Sequence, residues 1–375
     1  MKNHTVIEIN KDALAANLAM FRSVIPRSTR LAAVVKSNAY GHGMTETAGI
    51  ALDAGADVLA VNSAPEALLL AGQFPQAKIL VMGVVPSSFF SSFNHERFSL
   101  MVSDVEIMAG ISRQSPRAGI HLKVDTGMGR LGIAPEDAAR TAEQIKKDGI
   151  NLTGIATHFA STEDFTEHSY SMRQLTLFRE AVDSVKSSGF GQLTAHCAAS
   201  ASAMLFPEAH MDMVRIGIAM YGLWPSEQTR LSLKILGREF SLKPALSWKT
   251  RIIHINNLPA GAYVGYGSTY KTTAPAKVAV LPVGYYEGLD RKMSNSGYII
   301  TGGQRARIIG RVCMNMTMAD VTHISGVKAG DEVTLIGCSG QEEITADEIA
   351  GITGTINYET VTRINSELPR IITGD

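Results

Sequence analysis

The sequence predicts an α/β fold: a (β/α)8 barrel of the TIM type over residues 11–235, followed by a mostly β C-terminal domain over residues 236–375. Three observations carry this prediction. Eight short apolar runs (LAAVVK, DVLAV, KILVM, FSLMV, IHLKV, LTGIATH, LTAHC and MVRIG) alternate with stretches of helical character. Eight strand-helix repeats over about 200 residues are the mark of such a barrel. The alternation then stops near SLKILGREFSLKPALSWKT, and β-branched runs between Gly, Pro and Asn turns take over. A doubly wound open sheet is the rival, but it requires a Gly-rich dinucleotide turn or a strand-order reversal, and neither is legible.

In chain order, MKNHTVIEIN lacks the long apolar core of a signal peptide and reads as a strand. Because it precedes the first barrel run, residues 1–10 are expected to pair into the second domain. LAAVVK follows, ending abruptly in Lys36, and SNAYGHG has the small, polar and glycine residues of a tight strand-to-helix connection. A lysine at the carboxyl end of a buried strand is held against apolar walls. These lower its pKa from about 10.4 and free a neutral amine for Schiff-base chemistry. Taken alone, Lys36 reads as a strand-end lysine reaching out to water; its company changes that reading.

The other unusual residues fall at the corresponding ends of later runs, where a barrel collects its chemistry. Lys123 lies in the fifth with Arg130 just beyond, and His158 ends the sixth. His196 and Ser200 follow the seventh, and Arg215 and Gly217 follow the eighth. A phosphate fits at Ser200 and the backbone of Gly217 and Ile218, since the loops after strands seven and eight are a common phosphate site. In the second domain RIIHINNLPAG, KVAVLPVG, RARIIGRV and DEVTLIG read as strands, TADEIAGIT as a helix, and NYETVTRI as another.

Composition removes other classes. Basic and acidic residues balance at 35 each, so no global field favours nucleic acid or an anionic membrane. No apolar run approaches the roughly 20 residues of a membrane span. Cys197, Cys313 and Cys338 show no metal or redox spacing and cannot all pair, which points to a reducing cytoplasm. Ten histidines include no HExxH or comparable ligand cluster.

The stretch AVVKSNAYGHG resembles the cofactor-lysine motif of alanine racemases, which use pyridoxal 5'-phosphate. The resemblance continues through KVDTGMGRLG, THFAST, HCAASAS, RIGIAMYG, VGYGSTY, GRVCMNM and INYE, in order over nearly the whole chain. It implies that Lys36 carries the cofactor and that Tyr40 and Tyr358 add phenolic hydroxyls to the phosphate. By the same resemblance Arg215 faces the pyridine nitrogen, where other pyridoxal enzymes often use a carboxylate. A guanidinium keeps its proton, so the ring nitrogen stays unprotonated and withdraws fewer electrons, which favours return of a proton to Cα. Arg130 is implied at the cofactor phenolic oxygen and the substrate carboxylate. Lys123 matches a position carbamylated in several members, and His158 matches the histidine linking Arg215 to a second base.

That base is Tyr266 of VGYGSTY, which the resemblance places in the partner subunit's active site, implying a head-to-tail homodimer. A tyrosine acting near neutral pH must ionise about three pH units below its usual value, roughly 4 kcal/mol. A cationic Arg215 and a cationic His158 are the expected source. Met314 resembles the residue whose backbone N–H binds the substrate carboxylate from the partner chain, and Tyr285 a tyrosine narrowing the access path. The implied activity is interconversion of L- and D-alanine by two bases, Lys36 for the D-substrate proton and Tyr266 for the L-substrate proton.

Three departures bear on substrate breadth. Asn315 and Met316 stand where the family usually reads CMDQ, Ala199 replaces an asparagine, and GYYEG replaces GYADG. A racemase accepting serine or a larger amino acid is therefore an alternative. A decarboxylase of similar architecture is expected to place a carboxylate at the pyridine nitrogen, against RIGIAMYG. A non-catalytic pyridoxal-phosphate carrier requires neither the β domain nor Tyr266, and an aldolase using Lys36 directly is the most distant reading.

Overall fold

The structure is a computed structural model that describes residues 4–162 and 169–374. Its residues group into two compact units: residues 13–37 and 47–243, and residues 1–12, 38–46 and 244–375. Strand β1 is Val6–Asn10. The first unit is built on eight parallel strands: β2 (Arg30–Val34), β3 (Val58–Val61), β4 (Ile79–Val81), β5 (Phe98–Val102), β6 (Gly119–Lys123), β7 (Leu152–Ala156), β8 (Thr194–His196) and β9 (Met213–Ile216). These are the eight predicted runs, in the order β8-β7-β6-β5-β4-β3-β2-β9.

The remaining seam of the barrel, between β8 and β9, has no regular ladder. It is closed by Asp212 N–H to Ala195 O at 3.1 Å, Arg215 N–H to Ala198 O at 3.0 Å, and Ala195 N–H to the Asp212 carboxylate at 2.8 Å. Buried on both faces, strands such as β3 and β4 have every residue inside, which is why they read as unbroken apolar runs. The helix Ala64–Gln73 starts at a capping box, Ser63 with Glu66, and has Pro65 in its first turn. Residues 236–243 group with this unit, where Asn17 accepts from Lys243 N–H at 2.8 Å and donates to Lys243 O at 2.9 Å.

The second unit is a mostly antiparallel sheet. Its later strands are β10 (Leu246–Arg251), β11 (His254–Leu258), β12 (Tyr263–Val264), β13 (Tyr270–Lys271), β14 (Ala276–Leu281), β15 (Tyr298–Thr301), β16 (Gln304–Ile308), β17 (Thr317–Asp320), β18 (Glu332–Ser339), β19 (Glu342–Ile344) and β20 (Arg370–Thr373). The main path runs β11-β14-β17-β16-β15-β18-β10-β1-β20, with β19 on β18 and a separate β12–β13 ribbon. β1 pairs antiparallel with β10 and parallel with β20, and its alternation buries Ile7 and Ile9. The predicted late helices are present as Ala346–Thr353 and Asn357–Thr362. Among the described residues no helix is long and apolar enough to cross a membrane.

Candidate active site

Val35 closes the first barrel strand through its N–H to Ala60 O, and Lys36 follows directly. The next four residues, Ser37, Asn38, Ala39 and Tyr40, have φ of 55, 53, 52 and 53°. They form one turn of left-handed helix, costing about 1–2 kcal/mol per residue relative to the right-handed form. The chain is held there by named bonds. Glu66, already the partner of Asn62 and Ser63 N–H, accepts from Ser37 N–H at 2.7 Å. Asn38 O accepts from Gly41 and Gly43 N–H, and its side chain from Met44 N–H. Burial lowers the Lys36 pKa, the Arg130 charge lowers it further, and Glu66 opposes them. The amine is thus biased toward its nucleophilic, neutral form.

Inside the barrel Arg215 is 4% exposed and, among the described residues, meets no carboxylate. One terminal nitrogen donates to His196 Nδ1 at 2.6 Å and His196 O at 3.1 Å. The other donates to Thr157 O at 2.9 Å, Cys197 O at 3.1 Å and His158 Nδ1 at 3.3 Å. Arg215 and His196 were expected beyond their strands; both lie within them, because a guanidinium ringed by carbonyls and imidazoles can be buried without a counter-charge. Even so, burial brings its pKa down to about 10, well above neutrality.

Arginine only donates, so both Nδ1 atoms facing it are acceptors and both histidines carry their proton on Nε2. The cationic His158 expected from the sequence is corrected: burial first, and then Arg215, hold it well below the usual histidine range and therefore neutral. Lys123, at the top of β6, is driven well below the usual lysine range by burial, Arg215 and Arg130. Arg130 lies exposed at the end of a loop folded around Asp125. The Asp125 carboxylate accepts from the N–H groups of Gly127, Met128, Gly129 and Arg130. Asp125 escaped the sequence reading, although Asp ahead of a Gly-rich turn is an Asx-turn signal. Gln174, fully buried, accepts from Ala160 N–H and so braces the segment after His158. Across the seam, Gly217 N–H donates to Ser200 Oγ at 3.0 Å, which fixes the hydroxyl beside Gly217.

In the second unit the rings of Tyr40 and Tyr358 lie 6.2 Å apart between centroids, and burial raises the Tyr40 pKa to about 12. Tyr266, 72% exposed, sits in a short turn between Gly265 and Gly267, both with φ of 72°. Tyr285 and Met314 belong to two loops laced together. Tyr285 N–H donates to Cys313 O at 3.0 Å and Tyr286 N–H to Met314 O at 2.9 Å. Gly284 permits this, since a Cβ there would lie 2.2 Å from Cys313 O. Among the described residues no group of three or more His, Cys, Asp or Glu could hold a metal ion.

A buried arginine with neutral histidines, a lysine of depressed pKa and a hydroxyl-amide pair can hold an anionic conjugated group and move protons beside it. Comparison with known proteins identifies the family. Residues 9–225 match the family described as alanine racemase, N-terminal domain, and residues 245–372 match alanine racemase, C-terminal domain. The alanine racemase of Leptospira interrogans is 51% identical over 98% of this chain and 95% of its own length. That of Desulfosudis oleivorans is 38% identical over 97% and 95%. A solved alanine racemase from Bacillus anthracis, with bound L-Ala-P, is 34% identical, with a TM-score of 0.91 over 100% of this chain and 96% of that one. Matched over both of its parts, the chain belongs to the alanine racemase family.

Proposed function

We propose that the protein is a pyridoxal-phosphate-dependent racemase that interconverts L- and D-alanine with two bases, Lys36 and the Tyr266 of a partner subunit. The observation that carries this reading is Arg215: buried, donor-only, and bonded among the described residues to imidazoles and carbonyls with no carboxylate. The donor set suits the cofactor, with a lysine of lowered pKa and the Ser200 hydroxyl, whose oxygen accepts from Gly217 N–H so that its own proton can meet an anion. Lys36 holds the cofactor through its amine. Ser200, Gly217, Ile218, Tyr40 and Tyr358 hold its phosphate, and Arg215 meets its ring nitrogen. The bound cofactor supplies a conjugated ring that acidifies the Cα–H bond of the amino acid.

The chain's own groups do the rest. Arg130 and the Met314 N–H orient the substrate carboxylate, and Tyr285 narrows the path to it. Lys123 is carbamylated and holds Arg130, a role supported by its depressed pKa, since only a neutral amine adds carbon dioxide. Lys36 Nζ takes or returns the proton on one face of Cα and the Tyr266 oxygen on the other. His158, neutral with its proton on Nε2, stabilises the Tyr266 phenolate as a hydrogen-bond donor while Arg215 supplies the positive charge.

Sharing of Tyr266 requires a head-to-tail homodimer. It is supported by large side chains exposed on the second unit, Tyr263, Tyr266, Tyr286 and Met314 among them. Chiral chromatography of pure L-alanine incubated with the cofactor-loaded protein tests the function. D-alanine is expected to accumulate to an equal mixture, and the Lys36→Ala variant to yield none. No D-alanine from the wild-type protein, or carbon dioxide in its place, contradicts the reading.

A further inference from the structure

His196 receives Arg215 on Nδ1 and therefore carries its proton on Nε2, and among the described residues that proton meets His121 Nδ1, at 2.8 Å. His121 is in β6 and His196 in β8, with β7 between them. The two rings meet because the residue of β7 in register with His121 is Gly154. A Cβ at Gly154 would lie 2.7 Å from three carbons of the His121 ring. His121 is 5% exposed and His196 fully buried. Two apolar side chains would fill this space without the cost of desolvating four ring nitrogens.

We infer that His121 is a positioning residue for Arg215, acting through His196: by accepting the Nε2 proton it fixes the tautomer whose Nδ1 lone pair receives the guanidinium. The functional weight of this inference rests on the racemase reading of Arg215. Without an acceptor at His121, the Nε2 proton of His196 is left buried and unpaired, and the other tautomer turns an N–H against Arg215. The guanidinium then loses its shortest bond, and with it its aim. His121 itself is neutral, its pKa lowered to about 3 by burial and by the charges of Arg30 and Arg215. It can therefore serve as an acceptor on Nδ1 throughout the working pH range. His121 also helps line a cavity of about 640 Å3 shared with Arg30, Asn151 and Asp212.

The test uses the full chain, labelled at its histidine nitrogens, with and without cofactor. In the wild type the His196 signals are expected to show a bare Nδ1 and a protonated Nε2. His121→Leu should mix or reverse that tautomer and lower kcat about tenfold or more while leaving KM nearly unchanged, in the range typical of supporting hydrogen bonds around a site. His121→Asn, which restores an acceptor, should recover both. Gly154→Ala, which displaces the ring but keeps the histidine, should resemble His121→Leu and serves if that variant does not fold. An unchanged His196 tautomer in both His121→Leu and Gly154→Ala overturns the inference, as does equal activity of all four proteins. If the wild type proves not to racemise alanine, the tautomer measurement still decides the role of His121 separately.

Discussion

Asn315 Nδ2 donates to Glu287 Oε1 at 2.8 Å, joining the two loops in which the chain departs from the usual family pattern. The other carboxylate oxygen of Glu287 accepts from Gly284 N–H at 2.8 Å. One longer acid and one neutral amide thus clamp the loops that carry Tyr285 and Met314, in place of the shorter acid and the aspartate that the resemblance leads one to expect.

Asn315→Asp should break this clamp, since it removes the donor and sets a second negative charge against Glu287. Loss of a hydrogen bond to a charged group, about 1.5–3 kcal/mol, corresponds to a rise in KM for L-alanine of roughly tenfold or more. Adding Glu287→Gln should restore a donor-acceptor pair and most of the affinity. Steady-state kinetics of the single and double variants decides this, and an unchanged KM in Asn315→Asp contradicts it.

Acid should weaken the fold through its buried histidines. His42 is lowered to about 4 and His121 to about 3, chiefly by burial, and His158 and His196 move the same way. Above the unfolded value of about 6.5 these groups are neutral in both states and contribute no pH dependence. As pH falls below it the unfolded chain binds protons that the folded chain refuses, so stability drops from about pH 6.5 toward pH 3. By pH 5 His42 and His121 each cost about 2 kcal/mol. Urea midpoints measured at pH 7, 6 and 5 should decrease in that order; a flat or rising series would be inconsistent with neutral buried rings.

Gly41 follows the left-handed turn with φ of 87°, and a Cβ there would lie 2.0 Å from Val361 O. Gly41→Ala should therefore force the turn away from the helix that carries Tyr358. The combined strain and overpacking cost about 2 kcal/mol or more. Thermal melting and a cofactor titration check it: both Tm and pyridoxal-phosphate affinity should fall, and an unaffected affinity would argue against Tyr40 as a phosphate ligand.

The barrel was legible because strands buried on both faces must be apolar throughout, and LAAVVK to MVRIG mark them one by one. Lys36, Arg215 and Tyr266 stood out as candidates through the motifs around them. What stayed hidden depends on neighbours far apart in sequence. Nothing in IHLKV says that His121 reaches across Gly154 to His196, and Glu287 lies 28 positions from Asn315. The neutral state of His158 was misjudged for the same reason, since burial among carbonyls and cations is set by the folded barrel. The left-handed turn Ser37–Tyr40 contains no glycine and so carried no local signal for positive φ.

Exchange of the Cα hydrogen with deuterated water, followed separately from each enantiomer, distinguishes two bases on opposite faces of one carbon from a single base serving both. In Tyr266→Phe, exchange from L-alanine should slow about a hundredfold or more, as for loss of a general base. Exchange from D-alanine, served by Lys36, should slow far less. An equal loss from both enantiomers, or none from either, would contradict the assignment.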